Sequence, residues 1–585
     1  MRKNVLSYEK GHPNPLFYRP TWQSLNGEWR VYFDDENKGL TEGWSNRIPD
    51  GTRPIEVPYA YETPASLINE QKEHNIVWYF KTFNNPQWGE KVLLHFERID
   101  YVFDGWLNGH YLGKHIGGYD AFARDITEFL HDGENLLSIR VYDDKDPSHL
   151  RGKQMWGDKP EGCFYPPTTG IYGDVWMEKV ARASIQGYDA RGSYDEKTAY
   201  FRLLLTPEAM GATLTINLSY RGEKVASASF TVDNIYHEEE VAIPKKMFHA
   251  WSPAFPCLYD VELVLSRNGE ITDRVLSYFG VNEIQAKNHY LTLNGKKRYL
   301  KFVLYQGYHP AGGLTATEDE ILQDVHLIKA MGFNGVRVHE KIESELFYYL
   351  ADREGLLTDM EMPSPHVYNR FEADSAKSQF GRLVTDHVGH PSVMAYVAYN
   401  ESWGVENVDI SEELQEQLNS LYAMANRIDW TRPVVSNDGW EMTETDLVCF
   451  HNYAEDGEAL SSEFFGLKNR LANQDNFVVS GAKKAFAGEY HYSGQPYFLS
   501  EFFGAAFKKD SGKGWGYNHA VANERAYLKR YRSLLRAIKK LGFSGYCATQ
   551  FADTYQEKNG FVNDKREPKA SLEAIKRANK SFKKP

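Results

Sequence analysis

The sequence has few cysteines and no long apolar run. Its four cysteines, Cys163, Cys257, Cys449 and Cys547, are far apart and form no Cys-x-x-Cys pair. No histidines accompany them at zinc spacing, so we expect free, mostly buried thiols rather than a disulfide framework or a zinc site. No run of about 18 apolar residues occurs, and the amino terminus meets charge before an apolar leader can form. These absences predict a cytoplasmic protein with no membrane partner.

Positive charge is also scarce. The chain has 67 Lys and Arg against 80 Asp and Glu, a net charge of -13. Its only notably basic stretch is the tail, residues 580–585, which is typical of a frayed end. An acidic chain of this kind predicts no nucleic-acid partner.

What the chain does have is length and aromatic residues. Its 585 residues are too many for one ordinary domain with a single hydrophobic core. Of these residues 14% are aromatic, including 13 Trp and 38 Tyr. Such a composition fits β-sandwiches and surfaces that stack on sugar rings. Residues 1–180 show short strand patterns separated by Asn-Gly, Gly-Gly and Asp-Gly turns, with no long amphipathic helix between them. This texture predicts an antiparallel sandwich of jelly-roll type.

Residues 181–282 form a second all-β unit by the same criteria. Segments 213–218 and 259–265 alternate apolar and polar residues, and Asn268-Gly269 is a strong hairpin signal. About a hundred residues with this pattern predict an immunoglobulin-like sandwich.

The pattern changes in residues 283–585. Thr317 to Glu320 reads as a capping box at a helix start, and a second helix from Ser344 should end at Gly355. Strand and helix patterns then alternate, and eight strands can be counted from Tyr299 onward. Eight strand–helix units in about 300 residues predict a (β/α)8 TIM barrel.

Two glutamates stand out in this barrel. The apolar run 393–399 predicts a strand buried on both faces, and it stops at Asn400-Glu401; a later strand ends in Glu501. Ligands bind at the carboxyl ends of parallel strands, so both carboxylates should share one mouth. Carboxylates about 5 Å apart suit retaining glycoside hydrolysis, whereas about 6.5–9.5 Å suits inversion. The alternative for Glu401 is a structural salt bridge with an arginine.

Together these features resemble glycoside hydrolase family 2, which contains β-galactosidases, β-glucuronidases and β-mannosidases. The resemblance covers nearly the whole chain and rests on motifs in a fixed order. These are Asp104 to Gly109, Gly117-Gly118-Tyr119, Asp132 to Asn135, Trp251-Ser252-Pro253, Pro256 to Tyr259, Gly332 to Arg337, His390-Pro391-Ser392, Asn400-Glu401 and Tyr497 to Gly504.

The resemblance implies roles for several residues. Glu401 would be the general acid/base and Glu501 the nucleophile, while Asn400 would bind the 2-hydroxyl of the sugar. Arg337 would hold Glu501 ionised, with a structural ion pair as its alternative. Tyr453 would hydrogen-bond the nucleophile or merely pack.

Some positions depart from the patterns of the family. His339 does not match the Arg-x-x-His spacing, so it is either a substrate contact or a core histidine. Glu557 stands where β-glucuronidases carry the Asn of an Asn-x-Lys, and its charge would repel a uronate. No Glu-x-His follows strand three, so we predict no required metal and no cofactor. Trp403 is the favoured aromatic platform for the sugar, with packing as its alternative.

The sequence thus predicts a retaining exo-β-glycosidase that acts on small glycosides or oligosaccharides, and a β-galactosidase above the other activities. A β-glucuronidase, a β-mannosidase or a non-catalytic carbohydrate-binding protein are the alternatives. The predicted partner is a small carbohydrate, and a homo-oligomer is left open.

Overall fold

The structure is a computed structural model that describes residues 4–157, 159–287, 289–510 and 512–581. Two β-sandwich regions precede a parallel barrel, as predicted. Sequence boundaries at 180/181 and 282/283 stay a prediction. The four cysteines are free, with Cys449 and Cys547 buried and the other two half-buried.

The first region is a sandwich of a six-stranded and a four-stranded antiparallel sheet. Its strands are β1 (Trp22–Ser24), β2 (Gly27–Phe33), β3 (Arg53–Val57), β4 (Ile76–Asn84), β5 (Lys91–Phe96), β6 (Ile99–Asp100), β7 (Val102–Leu107), β8 (His110–Ile116), β9 (Phe122–Asp125), β10 (Glu134–Tyr142), β11 (Gly170–Ile171) and β12 (Val175–Val180). The sheet orders are β3-β2-β4-β10-β7-β8 and β1-β12-β5-β9. Alternate residues such as Leu137, Ile139 and Val141 point into the shared core.

The second region is a smaller antiparallel sandwich. Its strands are β13 (Ile185–Ser193), β14 (Thr198–Leu205), β15 (Thr213–Tyr220), β16 (Glu223–Thr231), β17 (Tyr236–Ala242), β18 (Tyr259–Arg267) and β19 (Glu270–Phe279). The sheet orders are β13-β14-β17 and β16-β15-β18-β19. The predicted hairpin joins β18 and β19, and both Asn268 (φ 53°) and Gly269 (φ 86°) adopt the left-handed conformation that this turn requires.

The third region is the barrel. Its elements are β20 (Ile284–Lys287), β21 (Tyr290–Leu293), β22 (Lys296–Lys297), β23 (Leu300–Tyr305), α1 (Glu318–Ala330), β24 (Gly335–Val338), α2 (Glu345–Glu354), β25 (Leu357–Glu361), α3 (Arg370–His387), β26 (Val393–Val397), α4 (Glu412–Ile428), β27 (Val434–Val435), β28 (Val448–His451), α5 (Gly457–Glu463), α6 (Leu467–Ala472), β29 (Val478–Ser480), β30 (Lys483–Lys484), β31 (Tyr497–Phe503), α7 (Glu524–Leu541), β32 (Gly545–Thr549) and α8 (Leu572–Lys580). Over the ranges described, no helix combines the length and apolar composition needed to cross a bilayer.

Eight parallel strands form the barrel in the order β27-β26-β25-β24-β23-β32-β31-β28, open only between β27 and β28 within the described chain. The predicted caps are present: Thr317 and Glu320 form the capping box of α1, and Gly355 ends α2 in a left-handed conformation. One unit departs from the prediction, because residues 436–447, all described, join β27 to β28 without a helix. This connection instead carries side chains to the mouth of the barrel.

Candidate active site

A buried arginine organises the carboxyl edge of the barrel. Arg337 lies in β24, and its side chain is completely buried. Its Nε donates to Glu361 Oε2 at 2.7 Å, Nη1 to Glu501 Oε1 at 2.7 Å, and Nη2 to Asn400 Oδ1 at 2.8 Å. The planar guanidinium therefore fixes the positions of two carboxylates and one amide at once.

Glu501 is held as a carboxylate. It lies inside β31, rather than at the strand end that the sequence suggested, and its Oε2 accepts a hydrogen bond from the Tyr453 hydroxyl. Burial opposes ionisation, but the charges of His451 and Arg337 outweigh it and lower the pKa of Glu501 to about 2. A carboxylate that is ionised, oriented and hydrogen-bonded has the properties of a nucleophile.

Glu401 occupies a strained turn. The strand β26 ends at Val397, two residues earlier than predicted, so Glu401 lies in the turn beyond it. Both Glu401 (φ 51°) and Ser402 (φ 59°) have left-handed backbones, and the Glu401 amide donates to the Asp438 carbonyl at 2.8 Å. Left-handed non-glycine residues cost free energy and cluster at functional sites. The side chain is 22% exposed, so its carboxyl group is open to a ligand.

A histidine that the sequence analysis did not identify joins the two glutamates. His451, the last residue of β28, places Nδ1 2.7 Å from Glu401 Oε1 and Nε2 2.9 Å from Asp438 Oδ1. Its Nε2 is also 3.6 Å from Glu501 Oε1. Burial lowers the pKa of His451, but the charge of Glu501 and the bonds to Asp438 and Glu401 raise it to about 10. The ring is therefore an imidazolium at neutral pH.

The two glutamates meet at one mouth. Each of Glu401, His451 and Glu501 offers one possible ligand atom, and these three atoms lie within 4.8 Å of one another. Such a group can in principle hold a cation, as can Asp143, Asp144 and His149. In this structure the members of the first group are already paired: Glu501 Oε1 accepts from Arg337 Nη1 at 2.7 Å, and His451 contacts Glu401 and Asp438. Asp143 accepts from Arg151 at 2.9 Å. The absence of a required metal stays a prediction.

The other predicted residues lie beside this cluster. Asn400 is buried, and its amide nitrogen has no hydrogen bond to a described residue, whereas its oxygen accepts from Arg337. His339 is buried, and burial with the charges of Lys153 and Arg337 keeps its pKa well below the usual value, so the ring is neutral. The ring centroid of Trp403 is 5.3 Å from that of Phe164. The platform therefore packs against the first sandwich.

Glu557 is paired rather than free. It is only 2% exposed, and it accepts from the Tyr165 hydroxyl at 2.9 Å and from Asn559 Nδ2 at 3.1 Å. Lys153 Nζ lies 3.9 Å away. Glu557 is therefore not the uncompensated anion that the sequence suggests, because the structure supplies a counter-charge from another part of the chain.

Several site residues escaped the sequence analysis. His451 and Asp438 directly follow strand patterns that were identified, so the argument used for Glu401 would have found them. Tyr517 stacks on Tyr453 with ring centroids 3.3 Å apart, and Lys153 comes from the first sandwich. No local pattern marks either of these residues.

Three family models match the chain. The model described as "Glycosyl hydrolases family 2, sugar binding domain" matches residues 22–179, "Glycosyl hydrolases family 2" matches residues 183–281, and "Glycosyl hydrolases family 2, TIM barrel domain" matches residues 284–584.

Relatives of known name are distant. A beta-galactosidase of Oenococcus oeni is 24% identical over 470 residues, which cover 73% of this chain and 44% of that protein. The chain spans about half the length of the curated relatives it matches. Among solved structures, a Faecalibacterium prausnitzii beta-glucuronidase is 21% identical, with a TM-score of 0.78 over 97% of this chain and 99% of that one. A Ruminococcus gnavus beta-glucuronidase in complex with uronic deoxynojirimycin has 18% identity and a TM-score of 0.79 over 97% and 99%. At these identities the structural likeness concerns the fold.

Proposed function

Since the chain belongs to family 2 of the glycosyl hydrolases, we propose that it is a retaining exo-β-glycosidase that hydrolyses terminal β-linked sugars of small glycosides or oligosaccharides. The observation that carries this proposal is the carboxylate pair: oxygens of Glu401 and Glu501 lie within 4.8 Å. This separation fits double displacement, which needs about 5 Å, and leaves no room for the water of an inverting enzyme.

Each glutamate then has a defined role. The ionised Glu501 attacks the anomeric carbon while Glu401 gives a proton to the leaving oxygen, which produces a glycosyl-enzyme ester on Glu501. Water next attacks the same carbon, gives a proton to Glu401 and releases Glu501 as a carboxylate. Arg337 and Tyr453 keep Glu501 unprotonated before the attack.

The side chain of His451 is a nearby source of the proton that the leaving group needs. His451 Nδ1 lies 2.7 Å from Glu401 Oε1, and the ring is an imidazolium. The His451–Glu401 pair therefore carries a proton that Glu401 can deliver, and the pair is restored when water is deprotonated in the second step. Asp438, 2.9 Å from Nε2, keeps the ring oriented throughout.

We propose β-galactosides as the preferred substrates. The Glu557 carboxylate and the Lys153 ammonium are 3.9 Å apart and cancel each other, so the flank of the site has no net charge for a uronate. The Oenococcus oeni relative is named a beta-galactosidase, and a Formosa agariphila relative of equal identity is named a putative beta-glucuronidase. The second candidate is β-glucuronidase, and the observation that favours it is the Lys153 ammonium, which a uronate carboxylate could approach.

The test is a panel of nitrophenyl β-glycosides with the first-formed product anomer followed by NMR. We expect the galactoside to be hydrolysed fastest, with the β-anomer released first. Turnover of the glucuronide without turnover of the galactoside would reverse the substrate ranking. Release of the α-anomer would overturn double displacement.

The role of Glu501 is tested by Glu501→Gln. We expect turnover to fall by roughly 10⁴-fold or more, because the amide cannot form the ester, while sugar binding is retained. Glu444→Gln, an exposed carboxylate of the connection 436–447, is the matched control and should keep full activity. Equal activity of Glu501→Gln and the unmodified protein would remove Glu501 from the mechanism.

A further inference from the structure

A lysine from the first sandwich region reaches the barrel mouth. Lys153 belongs to the mouth segment, which we define as residues 143–157 and 159–169 between β10 and β11. The segment is tied to the barrel: the Gly152 amide donates to the Ser364 carbonyl at 3.0 Å, and His366 Nε2 lies 2.7 Å from the Gly152 carbonyl oxygen. A side chain at Gly152 would place its Cβ 2.0 Å from the Glu340 carbonyl oxygen, so only glycine allows this approach.

The far end of the mouth segment is fixed in the same way. Gln556 Nε2 donates to the carbonyls of Gly162 and Phe164 at 2.9 and 2.7 Å. The Tyr165 amide donates to the Lys153 carbonyl at 2.8 Å, which joins the two arms of the segment. Lys153 is therefore held in place by contacts on both sides of the mouth, although it comes from another region.

The side chain of Lys153 is largely buried, and its ammonium has one carboxylate beside it. The residue is 5% exposed, and Nζ makes no hydrogen bond to any described residue; Glu557 Oε1, at 3.9 Å, is its ion-pair partner. The rings of Trp403 and Tyr165 lie under it, with centroids 5.3 and 5.9 Å from Nζ. Its three N–H donors therefore remain available to a ligand that enters the mouth.

Glu501 also acts on this ammonium. Burial lowers the pKa of Lys153, but electrostatic interactions with Cys163, Glu557, Glu501 and Glu340 outweigh burial and raise it, so the side chain is protonated. The same cation thus lies within electrostatic reach of the nucleophile and above the aromatic platform beside Glu401.

We propose that Lys153 is a substrate-binding residue that donates hydrogen bonds to hydroxyl oxygens of a neutral hexose. Glu557 is its positioning residue, which holds the ammonium and cancels its charge. The proposal rests on the proposed function, because it assumes that the sugar lies over Glu401 and Glu501. Net neutrality of the pair favours hydroxyl groups over a uronate carboxylate.

The experiment measures binding and turnover separately. Isothermal titration calorimetry measures the binding of free galactose, 6-deoxygalactose, glucose and glucuronate to the full chain, to Lys153→Met and to Lys153→Arg. The turnover of the matching nitrophenyl glycosides is assayed with the same three proteins. We expect Lys153→Met to weaken galactose binding and to lower kcat/KM for the galactoside by about 10- to 100-fold, as for loss of a charged hydrogen bond. Lys153→Arg should restore part of both effects.

Deoxygenation gives an internal check. If Lys153 contacts the 6-hydroxyl, Lys153→Met should change 6-deoxygalactose binding less than galactose binding; equal losses would move the contact to another hydroxyl and still support the proposal. Lys145→Met, in the same segment but paired with Glu73 at 2.9 Å, is the matched control and should change neither quantity.

The outcomes separate the two proposals. Unchanged sugar affinity and unchanged kcat/KM in Lys153→Met overturn the role of Lys153 and leave the glycosidase proposal intact. Weaker galactose binding in a protein that hydrolyses no glycoside supports Lys153 and overturns the glycosidase proposal. Tighter binding of glucuronate than of galactose, lost in Lys153→Met, overturns the neutral-sugar assignment, because the ammonium then binds a carboxylate.

Discussion

The two buried cations of the mouth differ in how completely they are paired. Arg337 comes from the barrel itself, and each of its nitrogens has a partner: Glu361, Glu501 and Asn400 accept from it at 2.7 to 2.8 Å. Lys153 comes from the first sandwich and has one carboxylate, at 3.9 Å, and no hydrogen bond to a described residue. One cation completes a network before any substrate arrives, whereas the other remains incomplete.

This difference matches two different requirements, one for the partners of a reacting group and one for a residue that recognises the sugar. A nucleophile must be ionised and oriented before the reaction, so its partners have to be built into the protein. A residue that selects the sugar gains specificity when its donors are unpaired in the empty site, since a ligand lacking the matching acceptor leaves them unpaired. In the two proposals made above, the barrel supplies the reacting groups, and the sandwich supplies a residue that recognises the sugar.

The largest effect should follow removal of the completed cation. Arg337→Met leaves Glu361 and Glu501 buried without their shared counter-charge, which should cost about 3–5 kcal/mol of the free energy of unfolding. Activity should fall by about 10³-fold, because Glu501 loses the group that keeps it ionised. Urea unfolding followed by tryptophan fluorescence and steady-state kinetics measure the two losses.

Arg19→Met is the matched control for this variant. Arg19 is another buried arginine, bound to Glu178 at 3.0 Å and Asp273 at 2.9 Å, at the junction of the two sandwiches. It should show a similar loss of stability with little change in kcat/KM of the remaining folded protein. Equal kinetic losses in both variants would mean that Arg337 acts through folding alone.

The next effect concerns His451, whose positive charge is stabilised by Glu501, Asp438 and Glu401. Its pKa in the folded protein is about 10, above the ordinary value of about 6.5. A group with a raised pKa contributes its stability fully below pH 6.5, and the contribution disappears as pH rises through 10. We expect the protein to lose a few kcal/mol over this window, at about 1.4 kcal/mol per pKa unit.

His451→Gln should flatten this decline, since glutamine does not titrate. Unfolding free energies at pH 6 and pH 10 measure it, and His326→Gln, an exposed histidine with a side chain 62% accessible, is the control. A variant that declines with pH as steeply as the unmodified protein would contradict an imidazolium at position 451.

Much of the fold could be predicted because its signals are local. The capping box at Thr317, the left-handed Gly355 and the Asn268-Gly269 hairpin each depend on a few adjacent residues. Helix α3 was missed, although Ala376, Phe380 and Leu383 mark its buried face, because polar residues dominate the rest of it. The connection 436–447 lacks the helix that regular alternation suggested, and it carries Asp438, whose Oδ1 lies 2.9 Å from His451 Nε2.

The residues of the candidate site also differ in whether local sequence signals predict them. Glu401 and Glu501 follow from the rule that ligands bind at the carboxyl ends of barrel strands. Arg337 was implied by the family resemblance, and the structure brings all three residues together. Their roles stay proposals. Lys153 could not be predicted, because its position depends on how a loop of one sandwich packs on the barrel. The pairing of Glu557 could not be predicted for the same reason, and the charge beside the site is that of the Lys153–Glu557 pair instead of that of one anion.

The smallest expected loss of stability is that of Lys153→Met. Lys153→Met should change the free energy of unfolding by no more than about 1 kcal/mol, because the ammonium has no hydrogen bonds to lose and methionine keeps the contacts with Trp403 and Tyr165. Glu557 would keep its bonds from Tyr165 and Asn559, and burial already raises its pKa, so it can take up a proton instead of remaining an unpaired anion. Urea unfolding beside Arg337→Met measures the difference. A loss of 3 kcal/mol or so, matching that variant, would make Lys153 a structural cation like Arg337, whereas stability kept with sugar affinity lost is the behaviour of a residue whose partner is the substrate.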